Sequence, residues 1–121
     1  MAKRLYSASG DWKVEAGVKD DIRKWLIAHR IYDMRGIKQA EDAEGFFYMP
    51  VPGGFGLTGV SDFIICFQGR MIALETKAEN KPATPTGDQK AFLDAITKAG
   101  GVALCANSVG AFERLWCSKV E

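Results

Sequence analysis

Apolar residues recur at helical spacing in the first part of the chain. This spacing predicts a first helix from about Lys13 to Arg30, with Asp11 as its N-cap. The residues that carry the pattern are Val14, Val18, Ile22, Trp25 and Leu26. The next segment, Asp33–Glu44, is polar and poorly periodic, which predicts a loop.

Shorter apolar runs predict strands in the middle of the chain. The first strand, Phe46–Met49, precedes a glycine-rich stretch, Gly53–Gly59. That stretch lacks the Lys-Ser/Thr ending of a P-loop and is not followed by a helix, so it does not indicate a phosphate loop. Two further strands, Val60–Phe67 and Arg70–Ala78, flank Gln68-Gly69, which predicts a tight hairpin turn.

The last third of the chain predicts two helices around a buried strand. Thr86 caps a helix from about Gly87 to Ala99, Val102–Asn107 forms the strand, and Ser108 caps the final helix. One face of that helix carries Phe112, Leu115 and Trp116. The order helix, strand, strand, strand, helix, strand, helix predicts an α/β domain spanning residues 1–121, with a mixed sheet flanked by helices.

Composition restricts the function more by exclusion than by indication. The net charge is +1, so charge alone does not indicate a nucleic-acid partner, and the basic first third of the chain is typical of a solvated helix face. Three cysteines and a single histidine argue against a disulfide framework and a zinc site. Cys66 and Cys105 are expected in the core, and His29 near a helix end. With no apolar run long enough for a bilayer and no signal peptide, we expect a cytoplasmic protein without membrane contact.

The predicted hairpin places three polar residues close together. If Gln68-Gly69 is a two-residue turn, Asp62 lies directly opposite Glu75, and Lys77 shares the face of Glu75. Opposed residues have Cβ atoms roughly 4.5–5.5 Å apart, and like charges there are destabilising. A divalent cation between the carboxylates would remove that repulsion. The alternative is a solvated face with exposed strand residues, and a three-residue turn would break the opposition.

Two further polar residues fall on the apolar side of predicted helices. Glu15 lies near the middle of the first helix's apolar stripe, which indicates either a paired or metal-bound carboxylate or favourable charge in the first turn. Gln89 shares the stripe of the second helix. It fits a capping box with Thr86, and it also fits a site residue, so both interpretations stay open.

This ordered set of residues resembles the PD-(D/E)XK nuclease superfamily, and within it the short, stand-alone, phage-type VRR-NUC family. The residues on which this resemblance rests are Glu15, Gly59-Val60-Ser61-Asp62, Glu75-Thr76-Lys77 and Gln89. Ser61 stands where the family usually has proline, and residues 31–57 carry none of its motifs. The resemblance implies a restriction-endonuclease-like fold.

The resemblance also implies a role for each residue. Asp62, Glu75 and the backbone carbonyl of Thr76 would bind Mg²⁺ or Mn²⁺, and Glu15 would complete the set directly or through water. Lys77 would position and help deprotonate the attacking water, and Gln89 would orient Lys77 or the scissile phosphate.

The activity so implied is a metal-dependent, structure-specific DNA endonuclease, of the Holliday-junction-resolvase kind, acting as a homodimer on branched or structured DNA. If the chain is phage-encoded, it would act in the cytoplasm of a bacterial host cell. Two alternatives stay open: a flap, end or single-strand nuclease in replication or repair, and a non-catalytic DNA-binding module of the same fold.

Overall fold

The structure is a computed structural model that describes residues 4–36, 41–51 and 57–121. Within these ranges the chain forms three helices and five strands. In chain order they are α1 (Glu15–Ala28), β1 (Ile31–Asp33), β2 (Gly45–Tyr48), β3 (Phe63–Phe67), β4 (Arg70–Thr76), α2 (Gly87–Lys98), β5 (Val102–Ala106) and α3 (Val109–Lys119). The predicted α/β class, a mixed sheet flanked by helices, is confirmed.

The five strands form one sheet in the order β1-β2-β3-β4-β5. The outer pairs β1–β2 and β4–β5 are parallel, and the pairs β2–β3 and β3–β4 are antiparallel. The parallel β4–β5 pair is joined through α2, which packs on both strands. Because β4 lies between two neighbours under this helix, its residues from Ile72 to Thr76 are all buried.

The hairpin that joins β3 to β4 has the predicted two-residue turn. Gln68 and Gly69 both have positive φ, 51° and 76°, and Phe67 pairs with Arg70. The register runs back to the pair Phe63 and Leu74. Since β3 begins at Phe63, Asp62 lies immediately before the strand, next to the end of β4.

Two sequence predictions about the first part of the chain are wrong. The N-cap of α1 is Val14. Asp11 instead lies in a turn, because Tyr6 and Lys13 form a β-bridge and the amide of Val14 donates to the carbonyl of Leu5. The strand β1 was not predicted, since three residues are too few for a periodic pattern, and its Asp33 belongs to a strand rather than a loop.

Smaller differences affect the ends of two strands. The strands β3 and β4 are shorter than predicted, because β3 starts at Phe63 and β4 ends at Thr76.

Most of the glycine-rich stretch, residues 53–56, lies outside the described residues. Among these, no helix is both long enough and apolar enough to cross a lipid bilayer.

Aromatic side chains join α1 and α3 over the sheet. The Trp25 ring meets Phe112 and Trp116 edge-on, with centroids 5.0 and 5.6 Å apart, and Trp116 also packs on Phe67. His29 lies at the end of α1, as predicted, where it is the C-cap residue and stacks on Trp25. These contacts pack the second half of α1 against α3, and α3 against β3 through Phe67.

All three cysteines are free. The expectation that Cys66 lies in the core is wrong, because strand side chains alternate and its neighbours Ile65 and Phe67 take the buried positions. Cys105 is partly buried.

Candidate metal centre

The carboxylates of Glu15, Asp62 and Glu75 converge at one edge of the sheet. Glu15 is the first residue of α1, Asp62 immediately precedes β3, and Glu75 is the penultimate residue of β4. Because β3 and β4 are antiparallel, the start of one lies beside the end of the other. One oxygen from each carboxylate lies within 4.8 Å of the others, which forms an acidic triad.

A glycine allows the chain segment that precedes Asp62 to contact the start of α2. Gly59 has a φ of +84°, and a Cβ there would lie 2.5 Å from the backbone of Asp88. Any larger residue would push this segment away from α2. Gly59 therefore helps to bring Asp62 to the same sheet edge as Gln89 on α2.

Asp62 is held by the residue that follows Glu75. Its Oδ2 accepts hydrogen bonds from the backbone N–H and the hydroxyl of Thr76, at 2.8 and 2.7 Å. Burial opposes ionisation of Asp62, but hydrogen bonds from Glu75 and Thr76 and the charge of Lys19 together lower its pKa below the ordinary value. Asp62 is therefore the ionised member of the Asp62–Glu75 pair.

Glu75 is buried, with 2% of its surface exposed. Its Oε2 has no hydrogen-bond partner among the described residues. Burial, and then the neighbouring Asp62 carboxylate, raise the pKa of Glu75 to about 8. The alternative of a solvated face is wrong at this position, since a buried carboxylate with an unpaired oxygen is costly unless a ligand satisfies it.

Lys77 and Gln89 are in direct contact. The Lys77 ammonium donates to Gln89 Oε1 at 2.8 Å, and the same oxygen accepts from the backbone N–H of Thr86 at 3.0 Å. The two interpretations of Gln89 are therefore compatible, because one side chain both bonds to the helix cap and fixes the lysine.

Glu15 does not lie in the core as its position in the apolar stripe suggested. Its side chain is 46% exposed, because α1 begins at this residue and its first turn stands at the edge of the sheet. The Thr76 hydroxyl lies 3.5 Å from Glu15 Oε1. Glu15 thus forms the solvent-facing side of the triad, and it also lies in the first turn of α1, where a negative charge is favourable.

Lys19 is a member of the site that the sequence analysis missed. Its Nζ lies 3.2 Å from Asp62 Oδ1 and 3.5 Å from Glu15 Oε1. Burial opposes its charge, but the two carboxylates raise the pKa of Lys19 above the ordinary value. The only sequence signal was its i,i+4 spacing from Glu15, which is common on helix surfaces. Lys19 places a positive charge beside the triad.

We expect Lys19→Met to weaken the metal-free fold and to tighten metal binding. Loss of the ammonium leaves the carboxylates to repel one another, so the free energy of unfolding in EDTA falls by about 1–2 kcal/mol. A bound cation no longer competes with the lysine, so Mn²⁺ affinity rises about tenfold, equivalent to about 1.4 kcal/mol. Urea unfolding and Mn²⁺ titration calorimetry measure the two effects.

The matched control is Lys24→Met, since Lys24 lies on the same helix and pairs with Asp20. It should change neither quantity appreciably. Mn²⁺ affinity that is unchanged or weaker in Lys19→Met would show that the lysine does not compete with a cation.

The chain matches no protein-family model. No curated protein matches it, and no solved structure does. The resemblance to the VRR-NUC family stays a prediction.

Proposed function

We propose that this protein is a metal-dependent nuclease that hydrolyses phosphodiester bonds in DNA. The observation that carries the proposal is the buried Glu75, whose unpaired oxygen belongs to a set of three converging carboxylates. Carboxylate oxygens are the ligands preferred by Mg²⁺ and Mn²⁺, so the donor set fits such an ion. Asp62 and Glu75 would hold it, with the carbonyl of Thr76 and with Glu15 directly or through water.

The chain's own residues supply the rest of the chemistry. A bound divalent cation would stabilise charge that develops on the phosphate oxygens and lower the pKa of water. Lys77 lies two residues after Glu75 on the same chain segment, and Gln89 limits the positions its ammonium can take. Held in this way, Lys77 orients the attacking water or a phosphate oxygen and assists proton removal.

The proposed substrate is branched or otherwise structured DNA, cut in the manner of a Holliday-junction resolvase by a homodimer. Support for this finer statement comes from the resemblance in residue order. A two-fold dimer would make two symmetric cuts, and it would add phosphate contacts to a subunit of low net charge. Such a substrate is consistent with action in the cytoplasm.

A non-catalytic DNA-binding module is the second candidate. The observation that favours it is Lys19, which offsets part of the triad's charge without any metal. In such a module the lysine would be a permanent partner of Asp62. The buried, unpaired Glu75 oxygen argues against that arrangement, because Lys19 contacts only the other two carboxylates.

A cleavage assay separates these functions. We expect a synthetic four-way junction to be cut in Mg²⁺ or Mn²⁺ and to stay intact in EDTA, and Glu75→Ala to be inactive while still folded. A flap, a single strand and a plain duplex serve as comparison substrates. Cleavage confined to flaps or single strands would contradict the resolvase activity, and DNA binding without cleavage of any substrate would contradict the nuclease.

A further inference from the structure

A groove of about 410 Å³ lies beside the acidic triad. Three cations line it, Lys19 and Arg23 of α1 and Arg35, together with apolar residues. The apolar residues are Ala16 of α1 and the run Met49, Pro50 and Val51. One acid, Asp20, also lines the groove, but it pairs with Lys24 at 3.0 Å. The groove thus combines positive charge with an apolar wall.

A single buried carboxylate holds the two arginines together. The Asp33 side chain, at the end of β1, is 10% exposed, and its Oδ2 lies 3.7 Å from Arg23 Nε and 3.5 Å from Arg35 Nη2. Its Oδ1 accepts a hydrogen bond from the Arg35 backbone N–H at 2.9 Å. One carboxylate faces two guanidinium groups, so this cluster carries a net positive charge.

The arginines themselves are accessible. The side chains of Arg23 and Arg35 are 42% and 60% exposed, so each has donors left for a ligand. Guanidinium groups bind phosphate through two parallel hydrogen bonds, a geometry that favours arginine over lysine. A pair of arginines fixed by a buried acid is therefore suited to an anionic phosphate.

The groove leads from the triad to this pair. Glu15, Lys19 and Arg23 are spaced four residues apart on α1, so they lie on one side of the helix, with about 6 Å of rise per step. Lys19 contacts Asp62 and Glu15 at one end of the groove. Arg23 then lies about 12 Å along the helix from Glu15.

We propose that Arg23 and Arg35, held by Asp33, bind the phosphate backbone of the DNA strand that runs along this groove from the cleavage site. The inference rests on the proposed nuclease function for the identity of its ligand. The contacted phosphate lies about 12 Å from the triad, as estimated from the rise of α1. The apolar wall of Met49, Pro50 and Val51 faces the sugars or bases of the same strand.

The test compares two double variants that remove the same charge. Arg23→Gln/Arg35→Gln alters the groove, and Arg30→Gln/Lys98→Gln removes two exposed cations elsewhere, near the ends of α1 and α2. Fluorescence anisotropy with a labelled single strand and a labelled four-way junction, in EDTA and over a range of NaCl, measures binding without cleavage.

We expect the groove variant to bind at least about tenfold more weakly than wild type. The slope of log affinity against log salt should fall by about one to two, as for the loss of one or two phosphate contacts. The control variant should lose less than about threefold. Equal losses in the two double variants would overturn the proposal, since the effect would then be one of net charge.

A third variant guards against misfolding. Removal of both arginines leaves Asp33 buried without its partners, so Arg23→Gln/Asp33→Asn/Arg35→Gln removes the acid as well. It should melt close to the wild-type temperature and still bind weakly. Wild-type affinity in this folded variant would overturn the groove assignment.

Cleavage assays separate this inference from the proposed function. If the wild type binds DNA without cutting it, and the groove variant binds more weakly than the control, the nuclease proposal fails and the groove proposal stands. If the wild type cuts DNA and the groove variant binds as tightly as the control, the groove proposal alone fails. Absence of any DNA binding by the wild type would overturn the groove proposal.

Discussion

Replacing Lys77 by methionine lowers the rate of metal-dependent DNA cleavage by about 10²–10⁴-fold, the range expected for loss of a positioned proton-transfer group. Methionine has a similar length and no charge, so the packing of the stem is largely kept. Single-turnover cleavage with saturating Mg²⁺ isolates the chemical step from binding. Because Lys77 is not among the proposed ligands, Mn²⁺ affinity should change much less than the rate.

Two comparison variants make this result specific. Lys90→Met removes an exposed lysine from the same helix as Gln89, one that pairs with Asp94, and should leave the cleavage rate unchanged. Gln89→Ala should give an intermediate loss, since it frees Lys77 without removing it. A Lys77→Met rate within a few-fold of wild type would remove this lysine from the mechanism.

The hairpin was predictable because the residues that determine its register are close together in the sequence. A two-residue turn fixes the register of both strands, so the proximity of Asp62 and Glu75 followed from the positions of Gln68 and Gly69 alone. The N-caps of α2 and α3 were also predictable from residues close together in the sequence. Ser108 accepts a hydrogen bond from the Ala111 amide, as expected of an N-cap.

The missed residues depend on contacts between elements distant in sequence. Lys19 meets Asp62 only because α1 packs across the sheet edge, and nothing local distinguishes it from Lys24, the other lysine of that helix. Asp33 falls in the segment whose polarity predicts a loop, and its burial depends on the pairing of β1 with β2. The apolar periodicity of α1 also placed Glu15 wrongly in the core, since an apolar stripe does not show where a helix leaves the core.

The second large effect concerns Glu75 in the metal-free protein. We expect Glu75→Gln to stabilise the fold in EDTA, and to do so increasingly as pH rises from about 4.5 to 8. Glutamine has the same size and carries no charge, so it does not have to be ionised in a buried position. The difference in unfolding free energy between variant and wild type should grow by an amount on the order of 4 kcal/mol over this range.

The direction follows from proton binding in the two states. The folded pKa of Glu75 is about 8, above the ordinary value of 4.5 that applies in the unfolded chain. Between these values the folded state holds a proton that the unfolded state has lost, so wild-type stability falls as pH rises. The lowered pKa of Asp62 acts in another window, since its contribution is lost only as pH falls below its ordinary value of 3.8.

Metal binding should reverse the comparison at high pH. A cation that displaces the Glu75 proton stabilises the folded wild type, so millimolar Mg²⁺ or Mn²⁺ should raise its melting temperature at pH 8 more than at pH 5.5. Glu75→Gln should show little of this gain. Urea unfolding across pH in EDTA measures the first effect, and thermal unfolding at pH 5.5 and 8, with and without the ion, measures the second. Parallel pH profiles of variant and wild type in EDTA would show that Glu75 ionises normally, and its burial would then give no reason for a cation at the triad.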